Sequence, residues 1–324
     1  MRSGSEMLAE QWNGRRWGVM HLAQPAGALS DGLTGVSCTS SRACTAVGWD
    51  YGPGTSGTLA ERWNGSKWSI QPTPSHGTEG IPFAAVSCGS ATSCTAVGYY
   101  DFNDPGFATS ALADHWDGHS WASQALPPFG NPGGDLTSIS CQHAACTAAG
   151  YYFGQSDEGP GTAPLALRWS AAAWAVQPTP GDATQNEISA LTGVSCPSAH
   201  DCTAVGLSVS GGPLVLHWNG TTWHSQAAGG GYGLNAVSCA SATACVAIGS
   251  SAGERWNGRR WALQNIHVPA GAHGLSLTAV SCSSGTRCTA VGSKDVTVSL
   301  VKDILTVAER WNGHRWAPQA TPSP

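Results

Sequence analysis

The chain has 324 residues, with 15 Lys and Arg against 20 Asp and Glu for a net charge of −5, and only 11% of its residues are charged. No basic footprint offers itself to nucleic acid, and no run of about 20 apolar residues offers a membrane span. Fifteen Trp, 41% hydrophobic residues and a Gly plus Pro content below the low-complexity range (42 Gly, 19 Pro) exclude wholesale disorder.

Two units recur along the chain. The first met is Trp-Asn-Gly-x-x-Trp, at Trp12 to Trp17, Trp63 to Trp68, Trp218 to Trp223, Trp256 to Trp261 and Trp311 to Trp316, with variants at Trp116 to Trp121 and Trp169 to Trp174. The second is Val-Ser-Cys, five residues, then Cys-Thr-Ala-Val-Gly. It covers Val36 to Gly48, Val86 to Gly98 and Val194 to Gly206, and returns with small changes near Cys141, Cys239 and Cys282. First-Cys steps of 50, 53, 55, 43 and 43 residues match the size of a propeller blade.

Residues 33 to 72 show what one unit folds into. Leu33 to Cys38 and Cys44 to Gly48 alternate larger and small residues, Leu59 to Trp63 follows a Gly/Ser/Pro loop, and Lys67 to Gln71 closes the unit before Pro-Thr-Pro. Asn-Gly between the last two is a hairpin signal, because both residues tolerate positive φ. Four antiparallel strands in chain order follow, and one such sheet cannot bury both faces, so the copies must stack. The fold class expected is all-β: one β-propeller domain over 1–324, with a half blade at 7–21. Complete blades are expected at about 33–72, 83–126, 136–178, 191–227, 234–266 and 277–320. Seven Trp hairpins against six Cys pairs read as seven blade positions with the first incomplete, or as six blades plus an N-terminal hairpin. A shortened or misassigned start accounts for the missing half, and for the lack of a secretory signal pattern.

The Trp hairpin between strands three and four resembles the Asp-box and kelch-type hairpins of sialidase-like and galactose-oxidase-like propellers. The Asp-box consensus itself survives only as Trp116-Asp117-Gly118. The Cys-pair unit is similar to that of secreted bacterial repeat proteins.

The twelve cysteines fall in pairs, Cys38/Cys44, Cys88/Cys94, Cys141/Cys146, Cys196/Cys202, Cys239/Cys245 and Cys282/Cys288, bracketing the turn between strands one and two. As metal ligands they have the wrong spacing, stand one pair per blade and lack a regular His. As disulfides they fit, since residues facing each other across a short antiparallel turn bring their Cβ atoms close. Paired cysteines imply an oxidising compartment, hence an extracellular or cell-surface location.

Reaction machinery is missing from the motifs: no G-x-S-x-G elbow, no phosphate loop, no H-E-x-x-H and no dinucleotide fingerprint. His115 and His119 only flank a hairpin. Arg62, Arg255 and Arg310 recur in Glu-Arg-Trp, and a residue repeated in blade after blade is a blade-to-blade contact sooner than a site. No enzyme, cofactor or metal is expected. Recognition belongs to unrepeated positions. The loops after strand two are long in the first three complete units, Trp49 to Gly57, Tyr99 to Ser110 and Tyr151 to Pro164. They supply the candidate ligand-binding residues Trp49, Asp50, Tyr51, Tyr99, Tyr100, Asp101, Phe102, Asp104, Tyr151, Tyr152, Asp157 and Glu158. Aromatic rings beside carboxylates suit sugar stacking, protein contact or a weakly held Ca²⁺. The opposing reading has Trp49, Tyr99 and Tyr151 finishing strand two and capping the core.

The expectation is therefore a non-catalytic, secreted or surface-displayed binding module for a glycan or protein partner. Alternatives are a sialidase-like or lyase-like carbohydrate-active propeller and a structural array within a larger surface protein. The sequence sets neither the ligand nor the oligomeric state.

Overall fold

The computed structural model describes residues 7–53, 57–76, 82–101, 109–130, 133–156, 159–170, 172–181, 189–250, 252–266, 272–298 and 301–322. Every regular element among them is a strand. A two-stranded sheet, β1 (Ala9–Trp12) and β2 (Trp17–Met20), precedes six four-stranded antiparallel sheets, the blades of a propeller. Blade one is β3 (Ser30–Ser40), β4 (Ala43–Tyr51), β5 (Gly57–Trp63) and β6 (Trp68–Gln71). Blade two is β7 (Phe83–Ser90), β8 (Ser93–Asp101), β9 (Thr109–Trp116) and β10 (Trp121–Ser123). Blade three is β11 (Gly134–Gln142), β12 (Ala145–Ser156), β13 (Gly159–Ser170) and β14 (Ala173–Gln177). Blade four is β15 (Ala190–Ser198), β16 (Asp201–Leu207), β17 (Pro213–Trp218) and β18 (Trp223–Ser225). Blade five is β19 (Leu234–Ser241), β20 (Ala244–Gly249), β21 (Gly253–Trp256) and β22 (Trp261–Gln264). Blade six is β23 (Ala272–Ser284), β24 (Arg287–Val298), β25 (Val301–Trp311) and β26 (Trp316–Gln319).

The chain forms two compact units: residues 1–9 with 19–187, holding blades one to three, and residues 10–18 with 188–324, holding blades four to six. In the first, the first strands of successive blades adjoin, β3 with β7 and β7 with β11. In the second, β15 adjoins β19 and β19 adjoins β23. First strands are therefore innermost, and the Trp hairpins lie outermost in each sheet.

Local chemistry explains the motif. All six disulfides are closed: Cys38–Cys44, Cys88–Cys94, Cys141–Cys146, Cys196–Cys202, Cys239–Cys245 and Cys282–Cys288. Cys88 and Cys94, Cys141 and Cys146, and Cys282 and Cys288 are directly opposed partners in their ladders. The Gly ending Cys-Thr-Ala-Val-Gly is required by close approach: a Cβ at Gly48 would stand 1.9 Å from the Gly32 carbonyl oxygen, and one at Gly206 1.9 Å from that of Ala190. Beside each of these, strand one bulges by a residue, at Thr34 and Thr192. The hydroxyl of Thr192 donates to Val205 O in its own blade (3.2 Å) and to Leu234 O of the next (2.6 Å).

The Trp hairpin departs from the turn expected. Trp63 pairs with Trp68 across a four-residue turn in which Gly65 has a φ of +96°, while Asn64 stays out of the left-handed region. Instead the Asn64 side chain holds the turn, its Oδ1 accepting from the N–H groups of Ser66 (2.9 Å) and Lys67 (3.0 Å). Asp117 does the same for His119 and Ser120, which keeps its carboxyl below the ordinary range. The paired indoles sit 5.8 Å apart, tilted, in blade one and 5.7 Å in blade five. The second Trp of each complete blade is at most 8% exposed, so each such indole contributes about 5 kcal/mol of gross burial.

Hydrophobic clusters form at blade joints. Val47 and Ala60 of blade one pack with Phe83, Val86, Leu112 and Trp116 of blade two, and Val205 and Val215 of blade four with Leu234, Val237 and Trp261 of blade five. A polar stitch accompanies them. The N–H of Cys88 donates to Ser37 Oγ (3.0 Å) and that of Cys141 to Ser87 Oγ (2.9 Å). In the second unit Cys239 uses Ser195 and Cys282 uses Ser238, both at 2.9 Å. Within each unit the Ser before the first cysteine thus fastens one inner strand to the next.

The disulfides bracket the turn between strands one and two as expected, and in blades two, three and six the second cysteine also packs into a joint. The second cysteine of every pair, Cys44, Cys94, Cys146, Cys202, Cys245 or Cys288, is buried. Cys94 packs with Val47 of the preceding blade, Cys146 with Val97, and Cys288 with Val246. The physical reason is alternation along strand two. The cysteine shares a face with the residue two positions on, and that face is pressed against the preceding blade. The Thr hydroxyl of that blade meets the sulfur there, Thr45 lying 3.5 Å from Cys94 Sγ and Thr95 3.9 Å from Cys146 Sγ.

Candidate functional site

Turns between strands one and two and between three and four lie at one end of each blade. Loops after strand two, and connectors between blades, lie at the other. In the first unit that second end carries a cavity of about 440 Å³. Its walls are the ends of β8, β9 and β10 of blade two, the connector residues Gln124, Leu126 to Gly130 and Gly133, and His76 from the connector entering blade two. The apolar lining is Leu112, Leu126, Pro127, Pro128 and Phe129, and polar groups come from Ser110, Ser123, Gln124, His76 and the Tyr100 ring edge.

Two of these side chains are positioned by a buried carboxylate. Asp114, 0% exposed on β9, takes a hydrogen bond from His76 Nε2 at 2.9 Å, and the imidazole stacks on Tyr100 with ring centroids 6.4 Å apart at 23°. With Nε2 engaged, Nδ1 is the ring nitrogen without a partner among the described residues. The same strand-three position is Glu61 in blade one and Glu254 in blade five, where it binds connector backbone. Glu61 Oε2 accepts from Ala23 N–H (3.1 Å), and Glu254 Oε2 from Gly229 N–H (2.8 Å). These acids fasten the incoming connector. Burial pushes the Glu61 carboxyl up to about 7, the Ala23 hydrogen bond opposing and the nearby Asp31 charge reinforcing; burial also raises Glu254, and Glu309 to about 7.

The repeated arginine is structural too. Arg62 donates from Nη2 to the Ala91 carbonyl (2.6 Å) and from Nη1 to Thr45 Oγ1 (3.2 Å), with its guanidinium 4.7 Å from the Trp116 ring centre. It joins blade one to blade two.

The sequence-derived residues separate by what they touch. The cysteines are all disulfide-bonded: Cys94 (1% exposed), Cys146 (6%), Cys245 (2%) and Cys288 (2%) are closed off in blade joints, and Cys44 and Cys202 are buried. Trp49, Tyr99, Tyr100, Tyr151 and Tyr152 lie in strands and not in loops, because β4, β8 and β12 run past the motif glycine to Tyr51, Asp101 and Ser156. Trp49 lies over Gly32, where a Cβ would be 2.8 Å from its Nε1, and the Tyr151 hydroxyl donates to Asp135, 4% exposed, which also accepts from Thr109. Tyr99 is half-buried opposite Ala111. Tyr100 lines the cavity, and Tyr152, like Phe129, packs against the buried cluster between blades two and three, its Cβ 3.0 Å from a Cβ placed on Gly130. Tyr51 is 56% exposed at the end of β4, and Asp50 faces Asp31 across the ladder, its carboxyl raised by burial first and also by Asp31. Asp101 is described only in its backbone, paired with Thr109. Phe102, Asp104, Asp157 and Glu158 lie outside the described residues.

His76 and the connector 126–130 carry no mark in the repeats. The available signal was Leu-Pro-Pro-Phe-Gly, a connector that sets a Phe ring beside two prolines. The corresponding cavity of blade six, about 240 Å³, is bounded by Leu305 to Ala308 and Pro318 to Thr321, and Lys294 stands where blade two has Tyr100. Among the described residues no cluster of three or more His, Cys, Asp or Glu is arranged to hold a metal ion, and no helix is long and apolar enough to cross a membrane.

No known protein-family profile matches the chain, and no curated protein matches its sequence. Solved structures do. The fucose-specific lectin from Aleuria aurantia is similar over 91% of this chain and 96% of its own, at 13% identity and a TM-score of 0.51. A further structure of that fungal lectin, described as a six-bladed β-propeller, covers 92% of this chain and 98% of its own, at 13% identity and 0.50. YCF48 bound to a D1 peptide covers 89% and 81%, at 12% identity and 0.50. Such likeness establishes the fold, a six-bladed β-propeller.

Proposed function

We propose that the protein is a non-catalytic, extracellular carbohydrate-binding module whose site is the cavity at blade two. The observation that carries this reading is the Tyr100–His76 stack fixed by Asp114 in a cavity lined both by Leu112, Leu126, Pro127, Pro128 and Phe129 and by Ser110, Ser123 and Gln124. An aromatic face offers an apolar platform to the C–H face of a pyranose, while an oriented imidazole, Ser110 and Gln124 supply directional hydrogen bonds for hydroxyls. About 440 Å³ lies within the roughly 300–1,000 Å³ typical of small-molecule sites. The lectin likeness supports the same class of ligand, and six disulfides support an oxidising location.

The test is a glycan-array screen of the oxidised protein beside Tyr100→Ala, with thermal unfolding of both. Selective glycan binding that falls at least tenfold in a folded Tyr100→Ala protein supports the reading. No glycan binding, or binding indifferent to Tyr100, rejects it, and a peptide array run in parallel then decides for a protein ligand.

A further inference from the structure

The net charge of −5 conceals an uneven division. Residues 1–9 with 19–187 carry 5 Lys and Arg against 14 Asp and Glu, whereas residues 10–18 with 188–324 carry 10 against 6. The second unit is therefore cationic, and its charges are sorted further along its blades. At the end formed by the Cys turns and the Trp hairpin turns stand six exposed arginines, Arg15, Arg16, Arg259, Arg260, Arg287 and Arg315. None of the six forms an ion pair among the described residues, and the one acid at that end of the unit, Asp201, is half-buried and engaged by His217 at 3.4 Å.

The hairpin turn itself presents these side chains. Asn13 Oδ1 accepts from the backbone N–H groups of Arg15 and Arg16 (both 2.9 Å), Asn257 Oδ1 from those of Arg259 and Arg260 (both 3.0 Å), and Asn312 Oδ1 from that of Arg315 (3.0 Å). The backbone is held while the guanidinium groups are left to solvent. Adjacent turns also meet. A Cβ built on Gly313 would stand 3.1 Å from Thr286 Cβ, so the two turns of blade six touch, and one built on Gly285 would stand 3.0 Å from Ala244 Cβ in the Cys turn of blade five. Arg310 lies 5.9 Å from the Trp12 ring centre, which brings the turn at Asn13 to Arg16 beside blade six. The six arginines thus share one continuous face of the second unit.

We infer that this face binds a linear anionic polysaccharide through the oxyanion groups along the polymer. Arginine supplies every formal positive charge of the unit's turns, and its forked donors match sulfate, phosphate and carboxylate oxygens. The exposed large apolar side chains of the unit, Val209, Tyr232, Leu263 and Ile304, lie in the loop after strand two, in a blade connector and in the far halves of β22 and β25. The arginine face therefore lacks the apolar centre of a protein interface or of a membrane-inserting surface, and it lacks an exposed ring on which the bases of a single strand could stack. Six disulfides favour an oxidising location, where the available polyanions are glycans sooner than nucleic acids. The inference does not rest on the blade-two cavity, which belongs to the first unit and lies at the opposite end of its blade.

The probes are a heparin-derived octasaccharide and an oligogalacturonate, titrated into the intact protein beside neutral dextran. Saturable binding of at least one anionic probe is expected at about 50 mM NaCl, weakened at least about tenfold at about 300 mM, with none to dextran. Arg259→Ser with Arg260→Ser, and separately Arg287→Ser with Arg315→Ser, should each weaken binding at least about fivefold at unchanged Tm, and either pair serves if the other does not fold. Lys294→Ser with Lys302→Ser removes the same charge from the other end of blade six and should change binding less than about twofold, as should Tyr100→Ala. Absence of binding to both anionic probes, or equal losses in the lysine and arginine pairs, overturns the inference. So does tighter binding of a DNA duplex than of either probe, or a salt-sensitive dimer that takes up neither, since the partner is then a nucleic acid or a second copy.

Discussion

Replacing Glu61 with Gln separates the cost of a buried charge from the contact it makes. The side chain is 0% exposed, and its carboxyl is held at about 7 against an ordinary 4.5, mainly by burial. A rise of that size corresponds to about 3 kcal/mol as an upper figure. The folded state keeps a proton that the unfolded chain has already released between pH 4.5 and 7. This contribution is therefore complete below about pH 4.5 and is lost as the pH rises through about 7. Gln stays neutral and still accepts the Ala23 N–H bond, so Glu61→Gln should equal the parent near pH 4.5 and exceed it by up to about 3 kcal/mol at pH 8.5. Urea unfolding followed by Trp fluorescence at four pH values measures the difference, and groups common to both proteins cancel. Glu309, also held at about 7, keeps part of the slope in the variant. A difference between variant and parent that stays constant from pH 4.5 to 8.5 refutes the reasoning.

Two other outcomes follow from the joints and turns. Replacing Cys196 and Cys202 together by Ser opens a loop of about seven residues and should cost about 2 kcal/mol in the chain-entropy account, read as a lower urea midpoint at unchanged m-value. Tyr151→Phe removes a donor from the buried Asp135 carboxylate and should cost about 1–3 kcal/mol by the same assay, with no effect on glycan binding. Glycan binding lost in Tyr151→Phe while Tyr100→Ala retains it would place the site at blade three.

The blades were legible because their determinants are local and repeated. Opposed cysteines, the motif glycine and the Trp pair each act within one hairpin, so spacing alone revealed them. Spacing says nothing of what lies beyond the hairpin, and the burial of Cys94, Cys146 and Cys288 against the preceding blade appears only once the blades are stacked. The turn chemistry was half legible: Gly65 takes the left-handed conformation expected, but Asn64 works through its side-chain carbonyl. Strand ends are hard to read where Gly and Pro suggest a loop, since Gly159-Pro160-Gly161 pairs regularly with Gly154, Gln155 and Ser156 in an extended hairpin. That extension takes Tyr151 and Tyr152 out of the loop expected to hold them. The cavity was the least legible feature. Tyr100 was visible as an unrepeated ring, whereas His76 acquires its place only through Asp114, 38 positions away, and no sequence spacing announces that pair.

The stitch between inner strands has a consequence for how such chains can change. The middle blade of each compact unit carries both halves of a coupling: a Ser hydroxyl toward its successor and a Cys amide toward its predecessor. The coupling ignores everything outward of the first strand, including the loops whose lengths make the units differ. Any unit can then follow any other, as links of one chain do, and duplication or loss of a whole unit leaves every remaining coupling intact. Variation in ligand contacts at the outer loops is thereby uncoupled from the chemistry that holds neighbours in register.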